Sequence, residues 1–334
     1  DLKSFVLMVY SKIMNTKPVI AVSMGDPAGI GPEIIVKALA DPQTQKEALY
    51  LITGDRSVLE NACTVCGISK TILDEDFVEI INMKNCPVNS FTMGEVSAAC
   101  GRAAYEYIEK ACSLAVEGRA KALCTAPINK ESLRAAGVPF IGHTEILSEL
   151  TNTKDPLTLF EVRDLRVFFL SRHVSLKQAC ALVKKDRIID YVKRCTEALS
   201  QLGIQSGTMA IAGLNPHSGE HGLFGNEEVE EVEPAVRALK EMGFSVEGPV
   251  GADSVFYQAL TGKYNSVLSL YHDQGHIATK TLDFERTISI TCGMKILRTS
   301  VDHGTAFDIA GTGRASEVSM IEALRLAVKY SKNY

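Results

Sequence analysis

Short apolar runs alternate with amphipathic stretches along nearly the whole chain, and this alternation limits the fold more than any other feature. The apolar runs have the length of strands and cover residues 19–23, 49–53, 120–125, 158–162, 167–170, 209–213 and 266–270. Stretches with helical periodicity cover residues 32–40, 57–65, 96–117, 186–202, 227–242 and 316–330. Strands that alternate with helices of this length predict an α/β fold with a mostly parallel sheet covered on both faces.

The length of the chain predicts two lobes, because a single core would be stretched to cover 334 residues. No repeat, low-complexity tract or long linker separates them, so the lobes must be interwoven. The net charge of −5 argues against a general nucleic-acid-binding protein. No apolar run reaches the length of a membrane span, and we expect no membrane contact.

The first 13 residues, DLKSFVLMVYSKI, are expected to be an extension without a role in the fold. Their apolar core is short and no small-residue cleavage pattern follows it, so no signal peptide is predicted. The nine cysteines are scattered; Cys63 and Cys66 form a CxxC pair, but no second pair completes a zinc ribbon. Free thiols in a reducing cytoplasm are the favoured interpretation.

Three of the seven histidines lie in polar stretches that follow strand-like runs. His173 closes RVFFLSRH, His217 lies in GLNPHSGE, and His272 opens YHDQG directly after SVLSLY. Each should project from the carboxyl end of a strand, where open α/β sheets place ligands. Three neutral imidazoles around one point would bind a transition metal and leave one coordination position open for substrate.

Two further histidines, His221 and His276, lie four residues after His217 and His272. On a helix this spacing would let each pair chelate one metal. The first pair spans a Ser-Gly-Glu loop, whereas the second could lie on a helical turn although Gly275 intervenes. We expect one ligand from each pair. His221 and His276 would then line the site or be solvated, and Asp253 is a candidate oxygen ligand or orienting group.

A glycine cluster, VIAVSMGDPAGIGPE, tests whether the chain has a dinucleotide-binding unit. Gly25, Gly29 and Gly31 give GxxxGxG, whereas the Rossmann fingerprint needs GxGxxG. Asp55 ends the next strand-like run, where such a unit would place its ribose carboxylate. The glycine spacing argues against a Rossmann site, although the helix that starts at Pro32 offers an N-terminus where an anion could dock.

Two more polar stretches carry candidate site residues. His143 and Thr144 of IGHTE precede an apolar-periodic helix, of which Thr144 is the expected N-cap; with the helix dipole they would hold a phosphate. Residues 299–311, TSVDHGTAFDIAG, are interpreted as a polar loop with closely approaching backbone. Lys280 and Arg298 lie near candidate site loops, whereas Arg286 is expected to be solvated.

Five motifs, GDPAGIGPE, GHTE, GLNPHSGEHGLFGNEE, YHDQG and TSVDHGTAFDIAG, occur in this order between about residue 17 and the end of the chain. Together they resemble the 4-hydroxythreonine-4-phosphate dehydrogenase (PdxA) family. The resemblance implies a fold similar to that of isocitrate and isopropylmalate dehydrogenases, with two α/β lobes and a cleft between them. It also implies NAD, one divalent metal ion (zinc, magnesium, manganese or cobalt), and a homodimer whose metal sites include residues of both subunits.

On this resemblance we expect residues 14–130 and 280–334 to form a first lobe with the NAD-binding loop. Residues 131–279 would form a second lobe that carries metal, substrate and dimer contacts. The implied metal ligands are His173, His217 and His272. The implied substrate-binding residues are His143, Thr144, Lys280, Ser289 and Arg298. The loop HGTAFDIAG is similar to HGSAPDIAG, which holds the adenosine end of NAD in related decarboxylating dehydrogenases and assigns to the cofactor His303, Gly304, Thr305, Ala306 and Asp308.

One departure from the family bears on the substrate. TISIT places Ser289 where the 4-hydroxythreonine-4-phosphate enzymes have asparagine in GVNIT, and DFERT replaces GFGRG. Loss of that amide favours a second branch, the 4-phospho-D-threonate or 4-phospho-D-erythronate 3-dehydrogenases, whose substrates carry a 2-hydroxyl in place of the 2-amino group.

The expected reaction is oxidation at C3 by NAD and metal-assisted decarboxylation to dihydroxyacetone phosphate, with Lys280 or Asp253 transferring a proton. The alternatives are the 4-hydroxy-L-threonine-4-phosphate dehydrogenase of pyridoxal phosphate biosynthesis, a metal-dependent hydrolase of a phosphorylated metabolite, and a sugar-phosphate-binding protein without catalysis.

Overall fold

The computed structural model describes residues 17–334, which fall into two compact units. Unit 1 consists of the described residues up to Pro156 together with Met294–Tyr334, and unit 2 consists of Leu157–Gly293. The extension expected at residues 1–13 lies outside the described residues. The units therefore divide at 156/157 and 293/294, whereas the sequence places the lobe boundaries at 130/131 and 279/280.

Apolar packing explains where the division falls. Leu133, Ile146 and Leu147 belong to the same buried cluster as Ala21 and Leu123, which ties the segment after residue 130 to unit 1. At the second boundary, residues 288–292 pair antiparallel with residues 157–161. This pairing keeps the chain up to residue 293 in unit 2, because strand hydrogen bonds are satisfied there.

The strands and helices follow one another as the alternation predicts. The strands are β1 (Val19–Ser23), β2 (Leu49–Gly54), β3 (Val78–Asn82), β4 (Ala122–Thr125), β5 (Leu157–Val162), β6 (Leu165–Phe169), β7 (Met209–Ala212), β8 (Val246–Val250), β9 (Ser266–Ser269), β10 (Ile288–Cys292) and β11 (Leu297–Val301). The α-helices are α1 (Gly31–Ala40), α2 (Thr44–Glu47), α3 (Arg56–Cys66), α4 (Ala98–Val116), α5 (Lys130–Ala135), α6 (His143–Thr151), α7 (Leu176–Ala181), α8 (Lys185–Gln201), α9 (Glu233–Glu241), α10 (Val255–Leu260), α11 (His272–Leu282) and α12 (Val318–Tyr330). Short helical turns cover Lys70–Asp74, Val88–Ser90, Pro216–Gly222 and Glu228–Val232.

The sheet of unit 1 is entirely parallel, with strand order β3-β2-β1-β4-β11. Unit 2 has strand order β10-β5-β6-β9-β7-β8; β5 is antiparallel to both of its neighbours and the other pairs are parallel. The predicted α/β fold with a mostly parallel sheet is therefore confirmed. In each unit the loops that follow the parallel strands leave from one edge, which is where such sheets bind ligands.

Four strands are not predicted by the apolar runs: β3, β8, β10 and β11. The strand β3 is only half-buried, and β8 contains a glycine and a proline. Serine and threonine interrupt the apolar residues of β10 (ISITC) and β11 (LRTSV), although every residue of both strands is buried. The prediction of one polar loop over 299–311 is wrong in its first three residues, which complete β11 because neighbouring β4 offers hydrogen-bond partners.

All nine cysteines are free thiols. Burial raises the pKa of Cys63 and of Cys66 to about 11, so the CxxC pair is protonated at neutral pH and poorly nucleophilic. Among residues 17–334, no helix combines the length and the apolar character needed to cross a membrane.

Candidate active site

Three adjacent parallel strands of unit 2 carry the three predicted metal-binding histidines. The strand β9 lies between β6 and β7 and is parallel to both. His173 follows β6, His272 follows β9 and His217 follows β7, so all three leave the same edge of the sheet. The topology of unit 2 thus places the three segments side by side, although they are far apart in sequence.

Two of these histidines come close together. The ring centroids of His173 and His272 are 5.9 Å apart. Both side chains line a cavity of about 400 Å³ that is formed by residues 172–176, 178–179 and 271–273. Nδ1 of His272 lies 2.6 Å from Oδ1 of Asp273, a contact that orients the ring and leaves Nε2 of a neutral imidazole with its lone pair. The pair has the donor chemistry of a site for a divalent transition metal.

His217 lies in an irregular segment and does not join this pair. From His217 to His221 five successive residues have left-handed backbone, with φ between 43° and 79°. The loop conformation expected for the pair His217 and His221 is therefore confirmed. Within residues 17–334, no group of three or more histidine, cysteine or acidic side chains is arranged to hold a metal ion. One chain by itself supplies two neighbouring imidazoles and a third in the segment that follows the next strand, β7.

Two residues that the sequence does not single out hold the ends of these strands. Oε1 of the buried Glu228 accepts hydrogen bonds from the backbone N–H groups of Leu214 and Asn215, each at 2.7 Å. The amide of Gln274 donates to the Gly213 carbonyl at 2.8 Å and accepts from the backbone N–H of Leu270 at 2.7 Å. Glu228 is the last residue of the motif GLNPHSGEHGLFGNEE, and Gln274 lies within YHDQG. Their place in these motifs is the only sequence signal that marks them.

His276 lies beside the His272 ring and is not solvated. It is one turn after His272 on α11, so the second pair has the helical spacing that the sequence allows despite the intervening Gly275. Gly275 is accommodated because it packs tightly against the side chains of Phe169, Ser269 and Val167. The His276 ring is 4.0 Å from that of His272 and 4.4 Å from Phe160. Burial, and then the neighbouring His272, lower the pKa of His276 to about 3, so it packs as a neutral ring.

The remaining candidates of unit 2 lie on separate elements. Lys280 lies on α11, two turns after His272, and its Nζ is 5.3 Å from the ring centroid of Phe284. Ser289 lies on β10 in register with Phe160 of β5. Asp253 is exposed in the turn that follows β8. Spacings of four residues place His272, His276 and Lys280 along one face of α11.

In unit 1 the predicted phosphate-binding arginine lies inside the sheet. Arg298 is on β11 and only 5% exposed, and burial lowers its pKa to about 10. Its Nε and Nη2 donate to Oγ1 of Thr125, at 3.0 and 2.7 Å. A buried guanidinium of this kind favours an anionic ligand.

His143 and Thr144 begin α6 next to this arginine. The N-cap is Gly142, so the prediction that Thr144 caps the helix is wrong; Thr144 lies in the first helical turn. Burial, and then the charge of Arg298, lower the pKa of His143 well below its usual range. Among residues 17–334, the buried Nε2 of His143 has no hydrogen-bond partner, so it can receive a ligand atom.

The predicted cofactor loop follows β11 and is anchored to the first glycine loop. The carbonyl of Thr305 accepts a hydrogen bond from the backbone N–H of Ile30, and Oγ1 of Thr305 accepts one from the Asn129 amide. The carboxylate of Glu33 accepts hydrogen bonds from the backbone N–H groups of Gly311 and Gly313, at 2.5 and 2.8 Å. His303 and Gly304 directly precede these anchors, and Ala306 and Asp308 lie between them; Gly304 and Asp308 are exposed.

The first glycine loop packs against the protein itself. A Cβ on Gly25 would lie 2.3 Å from the carbonyl oxygen of Pro127, and one on Gly31 would lie 2.3 Å from that of Met24. Gly25 also has a φ of 76°, which disfavours other residues. Asp55 is buried and accepts from the Tyr107 hydroxyl at 2.8 Å, so it is committed to a structural contact. These contacts support the sequence argument against a Rossmann nucleotide site.

The two clusters offer complementary chemistry. Unit 2 provides imidazole donors beside a cavity, and unit 1 provides a buried cation with a neutral histidine. Imidazoles suit a metal that polarises a hydroxyl or a carbonyl, whereas a buried guanidinium suits a phosphate.

Comparison with known proteins identifies the family. Residues 45–327 match the family described as Pyridoxal phosphate biosynthetic protein PdxA. A Clostridium botulinum strain Hall protein named "Putative D-threonate 4-phosphate dehydrogenase" is 56% identical over 332 residues, which are 96% of this chain and 99% of that protein. A Fusobacterium nucleatum protein of the same name is 55% identical, with 96% and 99% covered. The crystal structure of 4-hydroxythreonine-4-phosphate dehydrogenase from Klebsiella pneumoniae is similar with a TM-score of 0.86 and 38% identity, covering 95% of this chain and 98% of that one. The resemblance carried by the five motifs is thereby confirmed, and the chain belongs to the PdxA family.

Proposed function

We propose that this member of the PdxA dehydrogenase family uses NAD and a divalent metal to oxidise the C3 hydroxyl of a four-carbon, 4-phosphorylated acid. The favoured substrates are 4-phospho-D-threonate and 4-phospho-D-erythronate. Hydride passes from C3 to NAD, the hydroxyl proton is released, and loss of CO2 from the 3-keto acid gives dihydroxyacetone phosphate. The observation that carries the proposal is the His173–His272 pair at the ends of adjacent parallel strands, in a chain of this family.

The histidines are assigned to the metal. His173, His217 and His272 would be its ligands, and the imidazole donors fit zinc or cobalt best. When bound, a divalent metal lowers the pKa of a coordinated hydroxyl and stabilises negative charge on a neighbouring oxygen. Within the described residues of one chain only His173 and His272 come together, so the set of three ligands with His217 would be completed in a homodimer.

The apolar surface of unit 2 supports such a homodimer. Large apolar side chains that are 42–72% exposed flank the histidine segments, namely Val174, Leu176, Leu223, Phe224 and Ile277. Several large exposed apolar side chains around a site are typical of a protein–protein interface. A second copy of this chain is the proposed partner.

The phosphate is assigned to unit 1. Arg298 would pair with phosphate oxygens, with Thr144 as a further donor at the start of α6. His143 is neutral at physiological pH, so it would form a hydrogen bond through Nε2 rather than an ion pair. Binding energy at the phosphate would position the reacting carbon, which is remote from it.

NAD is assigned to the loop that follows β11. His303, Gly304, Thr305, Ala306 and Asp308 would contact its adenosine end, in line with the HGTAFDIAG motif. The exposed carboxylate of Asp308 suits ribose hydroxyls, and the backbone anchors at Thr305 and Glu33 keep the loop in place. The cofactor would supply the hydride acceptor.

For proton transfer Lys280 is favoured over Asp253. Lys280 lies on the face of α11 that carries His272, whereas Asp253 is exposed beyond the outer strand β8. In this role Nζ of Lys280 would accept the hydroxyl proton or return one to carbon after CO2 leaves.

Substrate choice is assigned to Ser289 on β10. A serine hydroxyl donates one hydrogen bond, and it is shorter than the asparagine side chain of the 4-hydroxythreonine-4-phosphate enzymes. The curated relatives named for D-threonate 4-phosphate support the same branch. We therefore expect Ser289→Asn to raise kcat/KM for 4-phosphohydroxy-L-threonine relative to 4-phospho-D-threonate.

The central experiment is a panel assay of NADH formation. The metal-loaded protein is given NAD with 4-phospho-D-threonate, 4-phospho-D-erythronate or 4-phosphohydroxy-L-threonine, and kcat/KM is compared. The proposal expects the first or second substrate to lead, production of dihydroxyacetone phosphate, and loss of activity on chelation. A lead for the amino substrate would move the chain to the other branch. Release of inorganic phosphate without NAD would instead support a hydrolase.

A further inference from the structure

The guanidinium of Arg298 is held along one side by a single hydroxyl. Its Nε and Nη2 lie 3.0 and 2.7 Å from Oγ1 of Thr125, the last residue of β4. Thr125 is fully buried. Two donors on one acceptor fix the rotation of the planar group as well as its position, because both bonds must be satisfied at once.

The accepting hydroxyl is itself fixed. Oγ1 of Thr125 donates to Oγ of Ser300 at 3.0 Å, and Thr125 and Ser300 are register partners on the parallel strands β4 and β11. Oγ of Ser300 donates in turn to the Val301 carbonyl at 3.0 Å. Each hydroxyl proton therefore points away from the arginine, and the lone pairs of Thr125 face the guanidinium. Such a chain polarises each bond in the same direction and strengthens the acceptor at its head.

This arrangement matters because a buried arginine has a choice of conformations. Burial disfavours its charge and lowers its pKa to about 10, so a loosely held side chain would turn toward water. The contact with Thr125 uses the Nε side of the guanidinium and sets the direction of its outer N–H groups. Those groups have the fork geometry that pairs with phosphate oxygens.

We propose that Thr125 is a positioning residue that holds Arg298 in the orientation that binds the substrate phosphate. The inference rests on the proposed function in so far as Arg298 is the phosphate-binding residue. It adds that the affinity for phosphate depends on a hydroxyl that itself contacts no substrate.

Thr299 of β11, the neighbour of Ser300, offers a matched control for the substitution of Thr125. Thr299 of β11 is also fully buried, and its Oγ1 donates to the backbone carbonyl of Ala323 at 2.8 Å. Its hydroxyl is bonded to α12, whereas the acceptor of Arg298 is Thr125. Thr299→Val therefore removes a buried hydroxyl of the same type at the same depth, without removing the acceptor of the arginine.

The test measures two quantities on the full chain. Binding of inorganic phosphate is measured by titration calorimetry, and KM and kcat are measured with 4-phospho-D-threonate. We expect Thr125→Val to weaken phosphate binding and to raise KM by about tenfold, the loss of one good hydrogen bond to a charged group, while kcat changes less than about twofold. Thr125→Ser should restore both values, and Thr299→Val should leave them unchanged. If Thr125→Val does not fold, Thr125→Cys keeps the volume and weakens the acceptor.

A double-mutant cycle makes the result specific. In an Arg298→Lys background, Thr125→Val should have no further effect, because lysine cannot make the two-donor contact. The inference is overturned if Thr125→Val binds phosphate as the wild type does while Arg298→Lys is impaired. It is also overturned if Thr299→Val weakens binding as much as Thr125→Val.

The failure of the proposed function has a different signature. If no substrate yields NADH but phosphate binding follows the expected order of variants, the dehydrogenase proposal falls and the role of Thr125 stands. If Arg298→Lys binds phosphate as the wild type does, the phosphate assignment of Arg298 falls and the inference falls with it.

Discussion

Two clusters are built in opposite ways: the one around Arg298 in unit 1, and the histidine cluster of His173, His217 and His272 in unit 2. Arg298 and Thr125 lie within regular, buried strands, and their hydrogen bonds run from one parallel strand to the next. His217 lies in a segment of five left-handed residues, and His272 is partly exposed beside a cavity. The first cluster is held together by hydrogen bonds within one chain, whereas the second brings two imidazoles together among residues 17–334.

The difference shows how the fold divides rigidity between the two tasks. A phosphate can be recognised by groups that are fixed in advance, because its charge and geometry do not change during the reaction. Left-handed non-glycine backbone is costly and persists only where surrounding contacts enforce it. In unit 2 Glu228 and Gln274 hold the chain just before this segment, so the histidine cluster should be the more sensitive of the two to substitutions at a distance.

The largest effect is expected from His217→Ala. If His217 is the proposed ligand, its loss should lower metal retention and reduce NADH formation by about 1000-fold or more, since a bound metal would supply several kcal/mol of charge stabilisation. Metal content is measured by elemental analysis and activity by absorbance. His221→Ala is the matched control, because His221 lies in the same left-handed segment and is exposed. Equal losses in both variants would show that the segment, not the imidazole, is responsible.

A smaller effect is expected from Glu228→Gln. The carboxylate accepts two backbone hydrogen bonds at the start of the His217 loop, and supporting groups of this kind typically change metal affinity by about 10- to 100-fold. Competition with a chelating dye measures the affinity. Glu230→Gln, in the same helical turn but exposed, should leave it unchanged. Wild-type affinity in Glu228→Gln would mean that the loop is not held by this contact.

Stability should depend on pH through Asp26, which is buried in the first glycine loop of unit 1. Burial raises the pKa of Asp26 from 3.8 to about 6, so the folded state holds this proton more tightly than the unfolded state does. Stability is therefore highest at low pH with respect to this group, and falls as pH rises from about 4 to 6, by ~3 kcal/mol in all. Asp26→Asn should remove that loss, so the free energy of unfolding of the variant should increase relative to that of the wild type as the pH rises. Urea unfolding at pH 4 and pH 7.5 tests this; a difference that does not grow with pH would contradict it.

The smallest effect on stability is expected at the start of α6. Because Gly142 is the N-cap, Thr144→Ala should change the free energy of unfolding by less than about 0.5 kcal/mol. Ser175→Ala, which breaks the reciprocal Ser175–Gln178 cap of α7, should cost about 1 kcal/mol. Urea unfolding of both variants compares them directly. A larger loss for Thr144→Ala would show that this side chain stabilises the helix after all.

The sequence predicts the fold class because apolar periodicity reports burial directly. It predicts seven strands, but Ser289 and Arg298 lie in strands that it misses, since hydroxyl-bearing and charged residues hide the pattern of β10 and β11. Both strands become buried only through pairing with β5 and β4, which no local pattern contains. The same limit applies to Thr125, whose importance lies in a contact with a residue 173 positions away.

The proposed metal ligands illustrate the opposite case. His173 and His272 are marked by their place after apolar runs, and the order of β6 and β9 brings their rings together. The residues that support them, Glu228 and Gln274, carry no signal of their own. A carboxylate or an amide within a polar motif is predicted to be exposed to solvent. Their role depends on backbone groups that only the folded loop presents.

The two hydrogen bonds from Gly311 and Gly313 to Glu33 have a mechanical consequence. They join the end of the proposed adenosine loop to the first turn of α1, so the loop cannot shift without pulling on that helix. Lys37, one turn further along α1, donates hydrogen bonds to the same stretch of chain, at the carbonyls of Gly313 and Ala315. A dinucleotide that settles on this loop would therefore slow amide exchange along α1, far from any atom that it touches.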